Sequence, residues 1–394
     1  MKNVGNQKIL ILSGSLGDGH KQAASALAEA ALAGGPDVQV EVVDYMEWTH
    51  PHLHSVGKFL YEQWMKKFPS LYGYLFRKTR GDNSFSDLIK GLRSYSLKRM
   101  VELLRDVQPT VVASTFPPAA AAMSMLKTQG LTELPTVTVI TDHTDHNFWI
   151  HPHTDRYIVA SEPVRKALLR KRIPHTKIEV TGIPIGLRYG ESLDRERLRE
   201  RHGLDRSLPT VLVMGGGLGM IDKAFVEDLK SLQFPAGVQF IVVCGRNRKL
   251  EQELAEMSDR AGNRVLVTGY IDYVHELMAL SDLIVTKPGG LSTSEALALE
   301  LPMLLYKPLP GQEKDNSDYL VGTGAAIEAG NEAELMERMV RILENPSLLG
   351  AMKSRAAMFK PEAPALNALQ AILGTRTVTI PLREEYFQSA YAEA

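Results

Sequence analysis

Short, almost unbroken apolar runs, separated by helix-like stretches, recur along this chain in two successive series. Residues 8–13, 38–44, 110–115, 135–141 and 156–160 form the first series, and residues 210–214, 238–244, 264–268, 282–286 and 302–306 the second. Apolar runs without alternation suit strands covered on both faces, the condition of a parallel sheet. Parallel neighbours need a crossover, and the stretches between supply one. Helices are expected over 20–32 and 119–127, then over 221–232, 249–260, 273–280 and 291–299. Two such arrays predict an α/β chain of two doubly wound, Rossmann-like domains. The boundary falls in 182–206, where residues 186–206 are charge-rich with no strand signal, giving domains 1–185 and 186–360. Residues 361–394 read as a helical tail.

Bulk properties narrow the function classes. The 394 residues carry 45 Lys and Arg against 46 Asp and Glu, so no net field draws the chain to nucleic acid. The single cysteine, Cys244, excludes an internal disulfide and suits a reducing compartment. It ends an apolar run and reads as a packing residue rather than a nucleophile. The short polar start lacks the apolar stretch of a signal peptide, and no run of about 18 apolar residues is available to span a bilayer. A cytoplasmic chain is expected, free to meet a membrane from its surface.

A glycine-rich loop follows the first strand of each array. Gly14-Ser15-Leu16-Gly17-Asp18-Gly19-His20 opens a helix rich in alanine, and Gly215-Gly216-Gly217-Leu218-Gly219 follows residues 210–214. Glycines let the backbone turn tightly and let a ligand come close, and a helix start favours an anionic or oxygen-rich partner. Free N–H groups at Gly215, Gly216 and Gly217 suit a pyrophosphate. An NAD site wants an acidic residue about 20 residues past its glycines. Asp44 lies 25 beyond Gly19, and such a site has no need of His20. His20 instead offers a base that works near neutral pH.

The densest signal is Thr286-Lys287-Pro288-Gly289-Gly290-Leu291-Ser292-Thr293-Ser294-Glu295, followed by Pro308-Leu309-Pro310-Gly311-Gln312-Glu313-Lys314-Asp315-Asn316. Ser292 or Thr293 is placed to cap a helix, with Glu295 three residues beyond Ser292 as in a capping box. A carboxylate in a first helical turn at the carboxyl edge of a parallel sheet also accepts hydrogen bonds from the two vicinal hydroxyls of a ribose. The residues alone leave both readings open. The next strand brings Gln312, Glu313 and Asn316 to the same edge.

This segment resembles the donor region of the glycosyltransferase family that contains MurG and the diacylglycerol glycosyltransferases. The match is closest to processive diacylglycerol glucosyltransferases and monogalactosyldiacylglycerol synthases, which show a KPGGLT-SEAL run and a PxPGQE-xN loop. Ser292 replaces the common Thr. The family also opens on a loop ending in Gly-His, here Gly17-Asp18-Gly19-His20, with Asp18 in place of a usual glycine. The resemblance spans residues 8–375.

The resemblance implies a GT-B architecture, two Rossmann-like domains facing an interdomain cleft, with the tail 361–394 returning to the first domain. It implies a UDP-hexose co-substrate and no metal or other cofactor. Glu295 would hold the ribose hydroxyls, Gly215, Gly216 and Gly217 would lie by the pyrophosphate, and Gln312 and Glu313 would face the donor sugar or phosphates. Gly245, Arg246 and Asn247 match a turn near the nucleotide, and Tyr270 and Ile271 match the strand end that holds the uracil through its backbone. Gly289, Gly290, Leu291, Ser292 and Asn316 complete the donor residues. Lys287 and Arg246 are candidates to meet the leaving charge. Gly19 and His20 face the acceptor, with His20 the base and Asp142 either an alternative base or the group that orients it.

The stretch Asp142-His143-Thr144-Asp145-His146-Asn147-Phe148-Trp149-Ile150-His151-Pro152-His153 matches a family segment that borders the acceptor. Its four histidines invite a metal, yet the spacing fits no zinc motif. Trp149 either packs against a lipid chain or fills the core. The implied chemistry is direct displacement with inversion, giving a β-glycoside.

Residues 56–100 add a feature that a simple crossover does not need: ten Lys or Arg against three acidic residues, interleaved with aromatics. Trp64, Lys66, Lys67, Arg77 and Lys78 suit an anionic membrane surface. Nucleic acid would want similar residues, but no motif for it accompanies them, and a solvated basic helix face is the plain alternative. The expected activity is transfer of glucose or galactose from a UDP-sugar to diacylglycerol or a glycosyl-diacylglycerol, by a peripheral enzyme on the inner face of the cell membrane. MurG-like transfer of N-acetylglucosamine to an isoprenoid-linked acceptor, a UDP-N-acetylglucosamine 2-epimerase and a non-catalytic UDP-sugar-binding regulator are the alternatives.

Overall fold

The computed structural model describes residues 7–15, 17–35, 37–51, 74, 90–215, 237–255 and 264–377. The apolar runs become strands, and those inside the sheets are covered on both faces, as Ile9, Leu10, Ile11 and Leu12 illustrate at 1% exposure or less, while the edge strands at 38–44 and 264–268 stay partly exposed. Contacts divide the chain into two units. One holds residues up to Leu187, Leu309–Gln312 and those from Ala363 onward; the other holds Arg188–Pro308 and Glu313–Glu362.

The first unit contains β1 (Gln7–Ser13), α1 (Asp18–Ala33), β2 (Val38–Asp44), α2 (Tyr45–Thr49), α3 (Lys90–Val107), β3 (Val111–Ser114), α4 (Pro117–Thr128), β4 (Thr136–Val139), β5 (Arg156–Val159), α5 (Glu162–Arg170) and β6 (Ile178–Val180). These strands form one parallel sheet in the order β2-β1-β3-β4-β5-β6. Ala23, Ala24, Leu27, Ala30 and Ala31 place a small-residue stripe of α1 on the sheet. At Gly14 the approach is closer still: a Cβ there would lie 2.7 Å from the Phe116 ring.

The second unit contains α6 (Arg195–Arg201), β7 (Thr210–Met214), β8 (Gln239–Val243), α7 (Arg248–Ala255), β9 (Arg264–Thr268), α8 (Val274–Leu280), β10 (Leu283–Thr286), α9 (Gly290–Ala298), β11 (Met303–Tyr306), α10 (Gln312–Thr323), β12 (Ala326–Ala329), α11 (Glu332–Leu343) and α12 (Pro346–Met358). The parallel order is β12-β11-β10-β7-β8-β9, the doubly wound order of dinucleotide-binding sheets. The last described helix, α13 (Pro364–Leu373), belongs to the first unit. There Ala365, Ala368, Leu369 and Ile372 join Ile9, Ile11 and Ala24 in one core.

The structure differs from the sequence reading in two strands that went unrecognised, β6 and β12. Both are short edge strands with an acidic residue in the run, Glu179 and Glu328, so neither has the apolar signature of its inner neighbours. Trp64, Lys66, Lys67, Arg77 and Lys78 of the basic stretch, and the expected helix 221–232, lie outside the described residues. Arg99, also in that stretch, is folded onto the protein. Its guanidinium stacks 4.8 Å from the Trp48 ring and donates to the Trp48 carbonyl at 3.2 Å.

Each sheet carries a charged anchor, buried in the first unit and partly buried in the second. In the first unit Asp155, 4% exposed, accepts Lys127 Nζ at 2.5 Å and Thr136 N at 2.8 Å. In the second, Asp282 accepts Arg199 Nη2 at 2.7 Å and Thr210 N at 2.8 Å, with Arg195 as a further partner. Removing one member of such a pair strands a buried charge. Lys127→Met is therefore expected to destabilise the first unit by about 3–5 kcal/mol, read as a lower denaturant midpoint.

Candidate active site

Parallel strands all end on one edge of their sheet, and in the second unit that edge gathers the donor candidates. The register pairs Thr286 of β10 with Met214 of β7, so Lys287 and Gly215 leave the sheet side by side. β7 and β10 are also where the strand order reverses, the position at which doubly wound sheets take ligands. Gly216 and Gly217 lie outside the described residues. Gly245 follows β8 with φ +56°, Tyr270 and Ile271 follow β9, and the 308–312 loop follows β11. Gly311 has φ +115°, a conformation open in practice to glycine alone.

The start of α9 removes the capping-box alternative for Glu295. Its N-cap is Gly289, with no side chain on the first-turn N–H groups. Thr293 Oγ1 and Ser294 Oγ instead donate back to the carbonyls of Gly289 and Gly290, each at 2.7 Å. Glycines at 289 and 290 let the helix begin before Ser292, so Glu295 falls in the second turn and does not cap. The open end of α9 suits negative charge.

Glu295 is partly buried, and burial pushes its carboxyl up to about 7. Tyr189 and Arg188 act the other way. Both favour its charged form, Tyr189 more than Arg188. Tyr189 is 8% exposed, and burial together with the Glu295 charge raises its own ionisation. Its ring meets the edge of His275 at 6.1 Å. Arg188, Tyr189 and His275 escaped the sequence reading, since the first two lie in a stretch with no periodic signal and the third in a helix that reads as ordinary.

Other candidates are braced by their neighbours. Asn316 is fully buried and donates to the Pro288 carbonyl at 3.0 Å, tying α10 to the turn before α9. Lys287 Nζ lies 4.0 Å from Glu313, the second residue of α10 after Gln312. Asn247 accepts Leu250 N at 3.1 Å and so caps the start of α7. Arg246 stacks at 5.3 Å over the exposed Tyr270 ring. Cys244 is buried, and burial followed by the nearby Glu251 raises its thiol to about 11, which fits packing rather than nucleophilic work.

In the first unit His20 is in the opening turn of α1, whose N-cap Gly17 has φ +99°. Its Nδ1 lies 3.1 Å from Thr141 Oγ1, and its ring stands edge-on to Phe116 at 5.3 Å and Trp149 at 5.8 Å. Burial lowers the imidazole to about 4, against a weaker opposing hydrogen bond with the Thr115 backbone. It is thus neutral at pH 7, with a lone pair to accept a proton. Trp149 is 4% exposed and packs with Ile140, Tyr157 and Val159 in the core, while the adjacent Phe148 is 47% exposed. Asp142 is half-buried beside Thr141.

The histidines of the 142–153 stretch serve this unit's own structure. His143 Nδ1 lies 3.2 Å from Ser161 Oγ, His146 Nδ1 accepts Phe148 N, and His151 Nε2 lies 3.0 Å from the Phe148 carbonyl. No group of three or more His, Cys, Asp or Glu among the described residues is arranged to hold a metal.

Residues 20–185 match the family described as monogalactosyldiacylglycerol (MGDG) synthase, and residues 223–359 match glycosyl transferases group 1. A processive diacylglycerol beta-glucosyltransferase of Bacillus cytotoxicus is 33% identical over 372 residues, covering 93% of this chain and 94% of that one. The chain belongs to the diacylglycerol glycosyltransferase family. MurG of Acinetobacter baumannii shares the fold at TM-score 0.61 and 15% identity, over 93% of this chain and 99% of that one. Anabaena HepE in complex with UDP shares it at TM-score 0.55 and 16% identity, over 93% and 98%. These solved neighbours make the GT-B assignment of this family member secure.

Burial holds His20 and His151 at about 4 and His143 at about 3, below the 6.5 of an unfolded histidine. The unfolded chain therefore binds more protons as pH falls below about 6.5. Stability contributed by these groups is full above that pH and is lost as pH drops toward 4 and 3. Thermal melts of the protein between pH 7 and 4 are expected to shift steadily downward, and His143→Asn is expected to flatten that slope.

Proposed function

We propose that this protein is an inverting, UDP-sugar-dependent hexosyltransferase that places a hexose on diacylglycerol or a glycosyl-diacylglycerol at a membrane surface. Relatives named for β-glucosyl transfer to diacylglycerol support the acceptor and favour UDP-glucose as donor over UDP-galactose. HepE structures containing UDP and UDP-glucose support the nucleotide. The observation that carries the reading is the Glu295 carboxylate, on the helix that starts where β10 ends, at the switch point of a doubly wound sheet.

In this reading Glu295 accepts the two ribose hydroxyls of UDP. His20 takes the acceptor's hydroxyl proton as the acceptor oxygen bonds to the anomeric carbon and that carbon's bond to the diphosphate breaks. The electron pair leaves on UDP. Lys287 and the open start of α9 meet that charge in this reading, which calls for no metal. Asp142 stays the second candidate base.

No helix among the described residues is long and apolar enough to cross a membrane. We place the protein on the membrane's inner face, held by the basic residues of 56–100 at about 1 kcal/mol each. Binding to anionic vesicles should then fall steeply with salt, and salt-insensitive binding would argue for apolar insertion.

The test supplies UDP-glucose and UDP-galactose separately to the protein with diacylglycerol vesicles containing anionic lipid. A β-hexosyl-diacylglycerol is the expected product. His20→Ala should lower its formation by about 10²–10⁴-fold while UDP still binds. Full activity in that variant removes the base assignment. Turnover only with UDP-N-acetylglucosamine and an isoprenoid-linked acceptor would replace the reading with a MurG-like one, and UDP binding without transfer to any lipid would make the protein a regulator.

A further inference from the structure

Three neighbouring strands of the first sheet, β1, β3 and β4, end around one imidazole. His20 stands in the first turn of the helix after β1, Thr115 follows β3 directly, and Thr141 lies two residues beyond β4. Both threonines are buried. Their main chain is tied to the sheet. Thr115 N donates to the Leu12 carbonyl at 2.9 Å, and Ile140 N, next to Thr141, donates to the Ile158 carbonyl at 2.9 Å. Thr115 Oγ1 donates to the His20 carbonyl at 3.0 Å and so holds that residue's backbone. Thr141 Oγ1 lies 3.1 Å from Nδ1 and so meets the ring itself.

Two buried aromatics complete the setting. Phe116 and Trp149 stand edge-on to the imidazole at 62° and 61°. They fix its plane without offering a conventional acceptor. Among the described residues Thr141 is the side-chain hydrogen-bond partner of the ring. His20 is only partly buried. With Nδ1 turned to a buried hydroxyl, the far side of the ring, which carries Nε2, is the side left to face outward.

From this arrangement we infer that Thr141 is a positioning residue for His20: its hydroxyl receives the Nδ1–H and leaves Nε2 as the nitrogen that takes the acceptor's proton. The inference rests on the reading of His20 as the base. A neutral imidazole carries one N–H, and only its bare nitrogen accepts a proton. A hydroxyl fits either tautomer, because it donates as well as accepts, and the reaction selects between them. As the acceptor's O–H proton passes to the Nε2 lone pair, the acceptor oxygen bonds to the anomeric carbon. That carbon's bond to the diphosphate breaks, and its electron pair leaves on UDP. Both ring nitrogens then carry hydrogen, so Thr141 can only accept. Its hydrogen bond strengthens as charge develops on the ring, which is the condition for a contact to speed the step. The imidazolium afterwards returns its proton to water. A hydroxyl also orients the ring without the charge of a carboxylate, which would raise the imidazole.

The test reads the ring directly. Protein isotope-labelled at its histidine nitrogens gives distinct magnetic-resonance signals for bare and hydrogen-bearing nitrogens, and His20→Ala identifies those of residue 20. At pH 7, where His20 is neutral, the expected spectrum has hydrogen on Nδ1 and a bare Nε2. Thr141→Val keeps the shape and removes the oxygen, and should spread the hydrogen over both nitrogens. The same variant should lower kcat for hexosyl transfer about 10- to 100-fold with UDP affinity unchanged, the loss of one hydrogen bond to a charged group. Thr141→Ser restores the oxygen and should recover most of that loss.

Hydrogen on Nε2 in the unaltered protein overturns the positioning role, and this reading stands by itself if the valine variant does not fold. Full kcat in folded Thr141→Val overturns it too, as does a tautomer that Asp142→Asn changes and Thr141→Val does not. Full activity in His20→Ala would instead remove the base reading, with the contact to Thr141 still visible in the spectrum.

Discussion

A parallel sheet sends the carboxyl ends of all its strands to one edge, and the chemistry of this protein depends on that constraint. The helices that return the chain must start where the strands stop. Backbone N–H groups, turn glycines and the first side chains of each helix therefore collect along one rim. In the second unit the reversal of strand order between β7 and β10 sets Gly215 beside Lys287 and brings α9 with Glu295 to the gap. In the first unit the reversal falls between β1 and β3, and His20 stands at that rim with Thr115 and Thr141.

Burial acts on the two principal side chains in opposite directions for one reason, the cost of charge away from water. It raises the Glu295 carboxyl and lowers the His20 imidazole. Each group then needs a partner that defines its state. Tyr189 and Arg188 favour the charged carboxylate, and Thr141 Oγ1 sits on Nδ1 of the neutral imidazole. Such pairs explain why the neighbouring polar groups are so fully used. Asn316, Asn247, Thr293 and Ser294 spend their side chains holding the turns on which Glu295, Arg246 and Lys287 depend.

Much of the fold could be read from the chain. Ten of the twelve described strands follow from apolar runs; eight of these are inner strands covered on both faces, and the edge strands β2 and β9 were legible from their valines. β6 and β12 were not legible, since an edge strand with Glu179 or Glu328 in a run of three or four residues resembles a loop. The helix before Glu295 starts within one residue of where the sequence put it, but a serine three residues ahead of a glutamate imitates a capping box that the structure does not form. The glycine pair lets the helix begin at Gly290, and the Thr293 and Ser294 hydroxyls each find a carbonyl one turn back. Trp149 could have faced a lipid or the core by its chemistry alone, and its place beside His20 in the core came only with the packing.

The sequence by itself determined the two doubly wound sheets, the glycine turns at their rims, and the residue types suited to a sugar nucleotide. Those properties live in short runs of neighbouring residues, where burial, turn geometry and motif are local. Only the tertiary structure decided which partners surround Glu295 and His20. Tyr189 precedes Glu295 by 106 positions, and Thr141 follows His20 by 121. No local pattern records such meetings, because they are made by the order in which the strands assemble.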